Sequence, residues 1–297
     1  MIKKKINDIE YKLREDQNFS WLEKEGTVFS VIDETGSGCI SFGVEKEGKK
    51  YFYKIAGAKT VEAEVSCEYS IEVLKHATQV YKDIKHPYLI ELVKDFSIDD
   101  FYVAVFNWED GECLFDHWNF DKYKMNPCLI TPMNLFKQLP LEKKLIVIEV
   151  LFSFMETVVK ANYIAVDFYD SSLMYDFYND KLTICDIDLF RKKPIYNDLG
   201  KDYLGTKRLK APEENELGAM IDERTNVFTL GAIICDLLSD VKNNKERYEV
   251  GHFIMNKQED YCFNEASYEV LKKATTLDRM IRYPSIKEFH KAWMQTL

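Results

Sequence analysis

Glycine and proline are scarce, 12 and 7 of 297 residues, which excludes collagen-like and Pro/Gly-rich low-complexity chains. Long apolar runs are missing too. The longest, residues 145–155 and 227–238, are interrupted by Glu149 and Asp236 and fall short of the roughly 20 residues that cross a bilayer. No membrane anchor is therefore expected. Paired cysteines are absent: the seven cysteines (Cys39, Cys67, Cys113, Cys128, Cys185, Cys235, Cys262) are odd in number and never two residues apart. That spacing excludes a zinc ribbon or a Cys-x-x-Cys redox site and fits reduced thiols in a cytoplasmic protein. Positive charge is in deficit, 40 Lys+Arg against 50 Asp+Glu for a net charge of −10, so the surface as a whole repels a nucleic-acid backbone. The basic run Lys3-Lys4-Lys5 leads into Asn7-Asp8-Ile9-Glu10 and not into an apolar segment, which argues against a secretory signal.

What is present is a chain that folds. Hydrophobic residues make up 46% and charged residues 30%, a globular balance, and the length suits one large two-lobed domain or two average ones. Residues 27–55 alternate like strands, with Gly36 and Gly38 as punctuation and a hairpin turn at Glu45-Lys46-Glu47-Gly48-Lys49. A helix is predicted over about 66–85, where Ile71, Leu74, Ala77, Tyr81 and Ile84 recur at three or four residues before His86-Pro87 stops it. Strands at about 89–96 and 101–106 complete a five-strand, one-helix unit. Beyond Asn107-Trp108-Glu109-Asp110-Gly111 the pattern becomes helical. Residues 141–161 carry Leu145, Ile148, Phe152, Met155 and Val159 on one stripe, and a second buried helix is predicted from about Asn226 to Asp240. Short apolar pieces at 173–175 and 182–185 bracket the turn Tyr178-Asn179-Asp180. The expected organisation is an extension over 1–26 with no assigned role, a first lobe at 27–106, a connection at 107–110, and a second lobe at 111–297.

Several residues could carry chemistry. Gly36-Ser37-Gly38 is either an ordinary turn or a site where backbone N–H groups approach a phosphate. Lys54 lies in an apolar strand and either meets an anionic partner or sits at a wet strand edge. Asp167 follows Tyr163-Ile164-Ala165-Val166, and Asp186 and Asp188 follow Leu182-Thr183-Ile184-Cys185. Carboxylates at strand ends can converge on a cation or a hydroxyl, and are also common turn residues.

The order of these features resembles the eukaryotic-like protein kinase family over about residues 27–293. A glycine loop, a strand lysine, a helix and His-Pro are followed by Asp167, Asp186 and Ala211-Pro212-Glu213-Glu214 after Gly205-Thr206. Thr225-Asn226-Val227-Phe228-Thr229-Leu230-Gly231 then resembles the start of the central helix of the large lobe, and Arg282 in Leu277-Asp278-Arg279-Met280-Ile281-Arg282 the arginine that pairs with Glu213. The resemblance implies an α+β, bilobal protein-kinase-like fold, with a small antiparallel lobe holding one main helix and a larger, mainly helical lobe. It implies that Gly36, Gly38 and Lys54 hold the phosphates of ATP. Phe106 would be the gatekeeper, and Asn107, Trp108 and Glu109 the adenine-binding hinge. Asp167 would orient or deprotonate the acceptor hydroxyl, and Asp186 would bind Mg²⁺, with Ser172 at the position of a further metal ligand. Lys54, Asp167 and Asp186 would meet at a cleft between the lobes.

Departures cluster at the chemistry. Ser41 replaces the third loop glycine, Ala165 and Val166 replace His-Arg before Asp167, Tyr169 replaces a lysine, and Ser172 replaces the metal-binding asparagine. Ala77 falls at the helix glutamate position, with Glu68 and Glu72 as alternatives. Asn226 replaces an aspartate that braces the catalytic loop. Without the His-Arg arginine, activation by phosphorylation of the segment before Ala-Pro-Glu is not expected. Asp170 and Asp188 are extra acids, Asp188 standing where a glycine normally follows the metal aspartate. Of the two, Asp188 is taken as the second metal ligand, since two carboxylates at that spacing on a strand-end turn can face one ion; the other reading is a turn cap. The expected activity is ATP- and Mg²⁺-dependent phosphoryl transfer to Ser/Thr hydroxyls of a protein. The alternatives are a pseudokinase that binds nucleotide or a signalling partner, and a small-molecule phosphotransferase, which has no need of Ala-Pro-Glu.

Overall fold

The computed structural model describes residues 1–115, 120–239 and 244–297, and the chain is mixed α+β. It divides into two compact units. The first comprises Met1–Asp83 with Leu89–Asp110, and the second Ile84–Tyr88 with Gly111–Leu297.

In the first unit the chain runs through β1 (Ile2–Ile6), β2 (Ile9–Leu13), α1 (Leu22–Glu25), β3 (Thr27–Ile32), β4 (Cys39–Lys46), β5 (Lys49–Ala56), α2 (Cys67–Asp83), β6 (Leu92–Ile98) and β7 (Phe101–Asn107). Strands β3 to β7 form one antiparallel five-stranded sheet in the order β3-β4-β5-β7-β6. The β4–β5 hairpin turns at Glu47-Gly48, both at positive φ, 52° and 74°, as a two-residue turn between right-twisted strands requires. The sixth strand runs over 92–98, later than the sequence pattern suggested, because its partners are fixed by the Asp99-Asp100 turn into β7.

Alternation sorts the sheet into two faces. Ile40, Phe42, Val44, Tyr53, Ile55, Val103 and Val105 form the core of one face, and the residues between them, Lys54 included, point the other way. Tyr81 and Thr78 of α2 lie on that second face, against Phe106 and Tyr102. Residues 1–26, without a role on the sequence, cover the first face. Tyr11, Leu13, Phe19 and Leu22 belong to its core, and Phe19 stacks at 4.8 Å from Phe101 and 5.6 Å from Phe42. Polar ties fix this cover: the Gln17 amide donates to the Gly57 carbonyl and accepts from the Lys59 N–H, and Asn7 accepts from the Val28 N–H.

In the second unit the elements are β8 (Glu112–Cys113), α3 (Phe120–Met125), α4 (Pro132–Lys137), α5 (Leu141–Lys160), β9 (Tyr163–Ile164), β10 (Leu173–Asp176), β11 (Lys181–Ile184), β12 (Arg191–Lys192), β13 (Ile195–Tyr196), β14 (Met220–Ile221), α6 (Glu223–Leu238), α7 (Asn244–Val250), α8 (Glu265–Ala274) and α9 (Ile286–Met294). Helix α6 starts three residues before the predicted Asn226, because Asp222 caps it by accepting the Arg224 N–H. The predicted end at Asp240 lies outside the described residues. Thirteen of the sixteen α6 residues are buried, so α6 is the central rod against which α5, α8 and α9 pack. Of the stripe predicted on α5, Ile148, Phe152 and Met155 are fully buried, and α9 docks there through Phe289, His290 and Trp293 around Phe152. Among the described residues no helix is long and apolar enough to cross a membrane.

Phe19 fills the space under the sheet with a full aromatic ring. Phe19→Ala is expected to lower unfolding stability by about 3–5 kcal/mol, measured by urea denaturation, whereas Ser20→Ala at the exposed neighbouring position leaves it within about 0.5 kcal/mol.

Candidate functional site

The candidate residues of the first unit lie on or beside its sheet. Lys54 is half-buried in β5, in register with Ser41 and Ala104. Phe106 is buried against Tyr81 and Phe52. At the connection, the Asn107 N–H donates to the Glu91 carbonyl and the Trp108 N–H to the Lys50 carbonyl, at 3.0 and 3.2 Å. Trp108 packs on Phe29 and Phe52, and its ring N–H donates to Asp110. The N–H groups of residues 107 and 108 are thus both engaged within the protein. On α2, Ala77 is fully buried, and Glu68 and Glu72 are exposed.

The glycine turn is fitted to its own unit. The Gly38 carbonyl accepts from the Ala58 N–H and the Gly36 carbonyl from the Glu64 N–H. At Gly38, φ is +70°, and an added Cβ would lie 3.0 Å from the Ser70 Cβ and 3.2 Å from the Val65 Cγ2. Glycine is needed here so that residues 57–70 can close against the turn.

In the second unit the sequence-predicted residues draw together. Asp167 and Asp186 both have left-handed backbone, φ 57° and 51°. Every other described non-glycine residue at positive φ lies in a hairpin turn or just after α5, so these two aspartates hold that conformation for a different reason. The loop carrying Asp167 is braced from α6: the Asn226 amide donates to the Ala165 carbonyl at 2.8 Å and its oxygen accepts the Ala165 N–H at 2.9 Å. The sequence reading took Asn226 as a lost brace. The structure corrects it, since an amide can serve both backbone groups at once where a carboxylate can only accept.

Asp167 lines a small, half-open pocket with Gly205, Thr206, Lys210, Glu214 and Thr229. Withdrawal from solvent and the negative charge of Asp186 push its carboxyl up to about 7, opposed by Lys210 and the Thr206 N–H. Burial lowers the Lys210 ammonium, against the pull of Glu214 and Asp167. Burial also pushes Glu214 up to about 8, although its carboxyl accepts the Ala211 N–H.

Asp186 is exposed and Asp188 nearly buried. Ser172 is fully buried, and its hydroxyl has no hydrogen-bond partner among the described residues. Among the described residues no group of three or more His, Cys, Asp or Glu side chains is arranged to hold a metal ion. Asp170, considered as a compensating ligand, is otherwise engaged. It pairs with the Arg208 guanidinium, which also donates to Asp236 at 2.9 Å, and Asp236 pairs with Arg247 at 2.5 Å. Of the basic run at 191–193, Arg191 and Lys192 pair with β9 and Lys193 lies 3.6 Å from Glu223.

The pairing of Glu213 with Arg282 is present as a two-pronged fork. The guanidinium donates to both carboxylate oxygens, at 2.7 and 3.0 Å, with 0% and 6% of the two side chains exposed. The Thr225 hydroxyl donates to Glu213, and Arg282 spends its other N–H groups on the carbonyls of Thr276, Leu277 and Arg224. Sequence reasoning passed over Lys210, Arg208 and Glu214. The run Lys207-Arg208-Leu209-Lys210 has the look of a solvated basic loop, and only its position directly before Ala211-Pro212-Glu213 hinted otherwise.

Glu213→Gln leaves Arg282 buried and uncompensated, and is expected to cost about 3–5 kcal/mol of unfolding stability by denaturant titration. For Glu214 the native state keeps a proton up to about 8 that the unfolded chain releases near 4.5. The folded form therefore binds more protons across that window, and stability falls as pH rises through it. Melting temperatures between pH 5 and 8 (about three units of this window) should decline less steeply in Glu214→Gln than in wild type, with the slope from Asp167 remaining.

No protein-family model matches the chain, and no curated protein matches it.

Proposed function

We propose that this chain is an atypical member of the eukaryotic-like protein kinase family, its two units being the small and large lobes, and that it transfers the γ-phosphoryl group of ATP to Ser/Thr hydroxyls of a protein. The observation that carries this reading is the Arg282–Glu213 fork. The motif order called for that pair across 69 residues, and it belongs to a segment that flanks Asp167. The Asn226 brace supports the same reading, because phosphoryl transfer asks a protein mainly for positioning and charge neutralisation.

On this reading Lys54 binds the α- and β-phosphates and Asp167 accepts the proton of the attacking hydroxyl. A cation fits the residues present. Asp186 and Asp188 are hard carboxylate donors, and the buried Ser172 hydroxyl is an oxygen that the protein's own bonding leaves over. Mg²⁺ takes one or two carboxylates together with waters and substrate phosphates, so it needs no larger cage of acids. When bound, it supplies neutralisation of phosphate charge. The Thr206 N–H holds the Asp167 carboxylate in place.

A second reading, a pseudokinase that binds nucleotide or a protein partner without efficient transfer, is favoured by the glycine turn fastened to residues 57–70 and by Ala77 at the helix glutamate position. One experiment decides. With γ-labelled ATP and Mg²⁺ or Mn²⁺ under single-turnover conditions, wild type is expected to label itself or a protein acceptor, Asp167→Asn to be slower by about 10²–10⁴-fold, and Asp186→Ala to lose transfer. Thermal stabilisation by nucleotide with no transfer in wild type would establish the second reading.

A further inference from the structure

The proposed catalytic loop lacks its usual cation, since Tyr169 stands two residues after Asp167 where the family has lysine. We propose that Lys210, from the segment before Ala211-Pro212-Glu213, is the positioning cation of the acceptor site in its place, an inference that rests on the kinase reading.

Three observations carry it. Lys210 is only 3% exposed, and its backbone is held at both ends. The Lys210 carbonyl accepts the Phe253 N–H, and the following Ala211 N–H is taken by Glu214. Next, the ammonium donates to the Tyr203 carbonyl, which closes residues 203–210 into a loop around Gly205. Finally, Gly205 has φ +110°, and a Cβ placed there would lie 3.4 Å from the Lys210 Cε and 3.8 Å from the Asp167 Oδ1. The lysine stem and the carboxylate therefore flank the same glycine, with only a hydrogen atom where a side chain would stand. Both groups line the pocket that also holds Thr206 and Glu214.

The surrounding charges select Asp167 as the counterion. Glu214, Asp167 and Asp202 face Lys210 with Lys207 opposed, while Asp186, Lys210 and the Thr206 N–H face Asp167. The Glu214 carboxyl already accepts the Ala211 N–H, and Asp202 lies on the exposed side of the loop. A buried ammonium needs a nearby anion to remain charged; both Asp167 and Glu214 line the pocket, and Asp167 is the one that shares the Gly205 cradle with the lysine stem. In the transfer step the acceptor oxygen bonds to the γ-phosphorus as the bond from phosphorus to the bridging oxygen breaks. The electron pair leaves with ADP, and the hydroxyl proton passes to Asp167. Lys210 fixes the carboxylate that receives that proton and offsets the Asp186 charge beside it.

The test uses the full-length protein, ATP with Mg²⁺ and the protein acceptor, or self-labelling. Lys210→Met is expected to lower kcat about 100-fold with KM for ATP unchanged. Lys210→Arg keeps most of the rate, and Lys210→Met combined with Tyr169→Lys recovers it by returning a cation to the vacated position. Independently of activity, the ammonium resonance of Lys210 followed by ¹⁵N NMR should titrate at lower pH in Asp167→Asn than in wild type. Transfer that survives Lys210→Met, or failure of the double variant to recover, overturns the proposal while leaving the kinase reading intact. An ammonium titration unmoved by Asp167→Asn overturns the pairing itself. A wild type that transfers nothing overturns the kinase reading and the role of Lys210 with it, even where the NMR coupling is present.

Discussion

The second unit depends on two charges that can leave water only together. Arg282 and Glu213 are almost wholly withdrawn from solvent, and either alone would carry a desolvation cost of several kcal/mol. Together they use both prongs of the guanidinium, and the remaining hydrogen-bonding capacity goes to three carbonyls and a hydroxyl. The chain between Glu213 and Arg282 includes the whole of α6, so the fork fixes the segment before α6 to the loop after α8. Once residue 213 is fixed, so are Lys210 and Glu214, and with them the wall of the pocket at Asp167.

A second set of buried charges works beside the first. Arg208 and Arg247 against Asp170 and Asp236 sum to zero, and the two guanidiniums also lie over the rings of Phe115 and Phe253 at 4.6 and 4.2 Å. This network attaches the 207–209 turn to the loop of Asp167 on one side and to α6 on the other. The segment is thus positioned by side chains the chain itself carries.

The first unit uses a different constraint. A five-stranded sheet has two faces, and an apolar face left in water would be an aggregation hazard. Helix α2 lies on one, and residues 1–26 cover the other with Tyr11, Leu13, Phe19 and Leu22. The charges of that segment hid this on the sequence. Lys3, Lys5, Glu10 and Lys12 alternate with Lys4, Ile6, Tyr11 and Leu13 in a short hairpin, and a period of two over five-residue strands is too brief to stand out from a solvated tail. The five main strands, α2, α5 and α6 were legible because their apolar periods persist for whole elements and their ends carry turn or cap residues.

Local pattern and motif order, with no tertiary information, determined the α+β composition, the hairpins and the long helices, since these follow from neighbours a few residues apart. They also determined which glutamate and arginine would meet. Only the tertiary structure decided what each isolated polar residue does: that Asn226 braces a loop 61 residues away, that Asp170 belongs to Arg208, and that Lys210 stands beside Asp167. The reason is physical. The role of a polar side chain is set by what burial takes from it and which partner returns it, and both are properties of residues far apart in the chain.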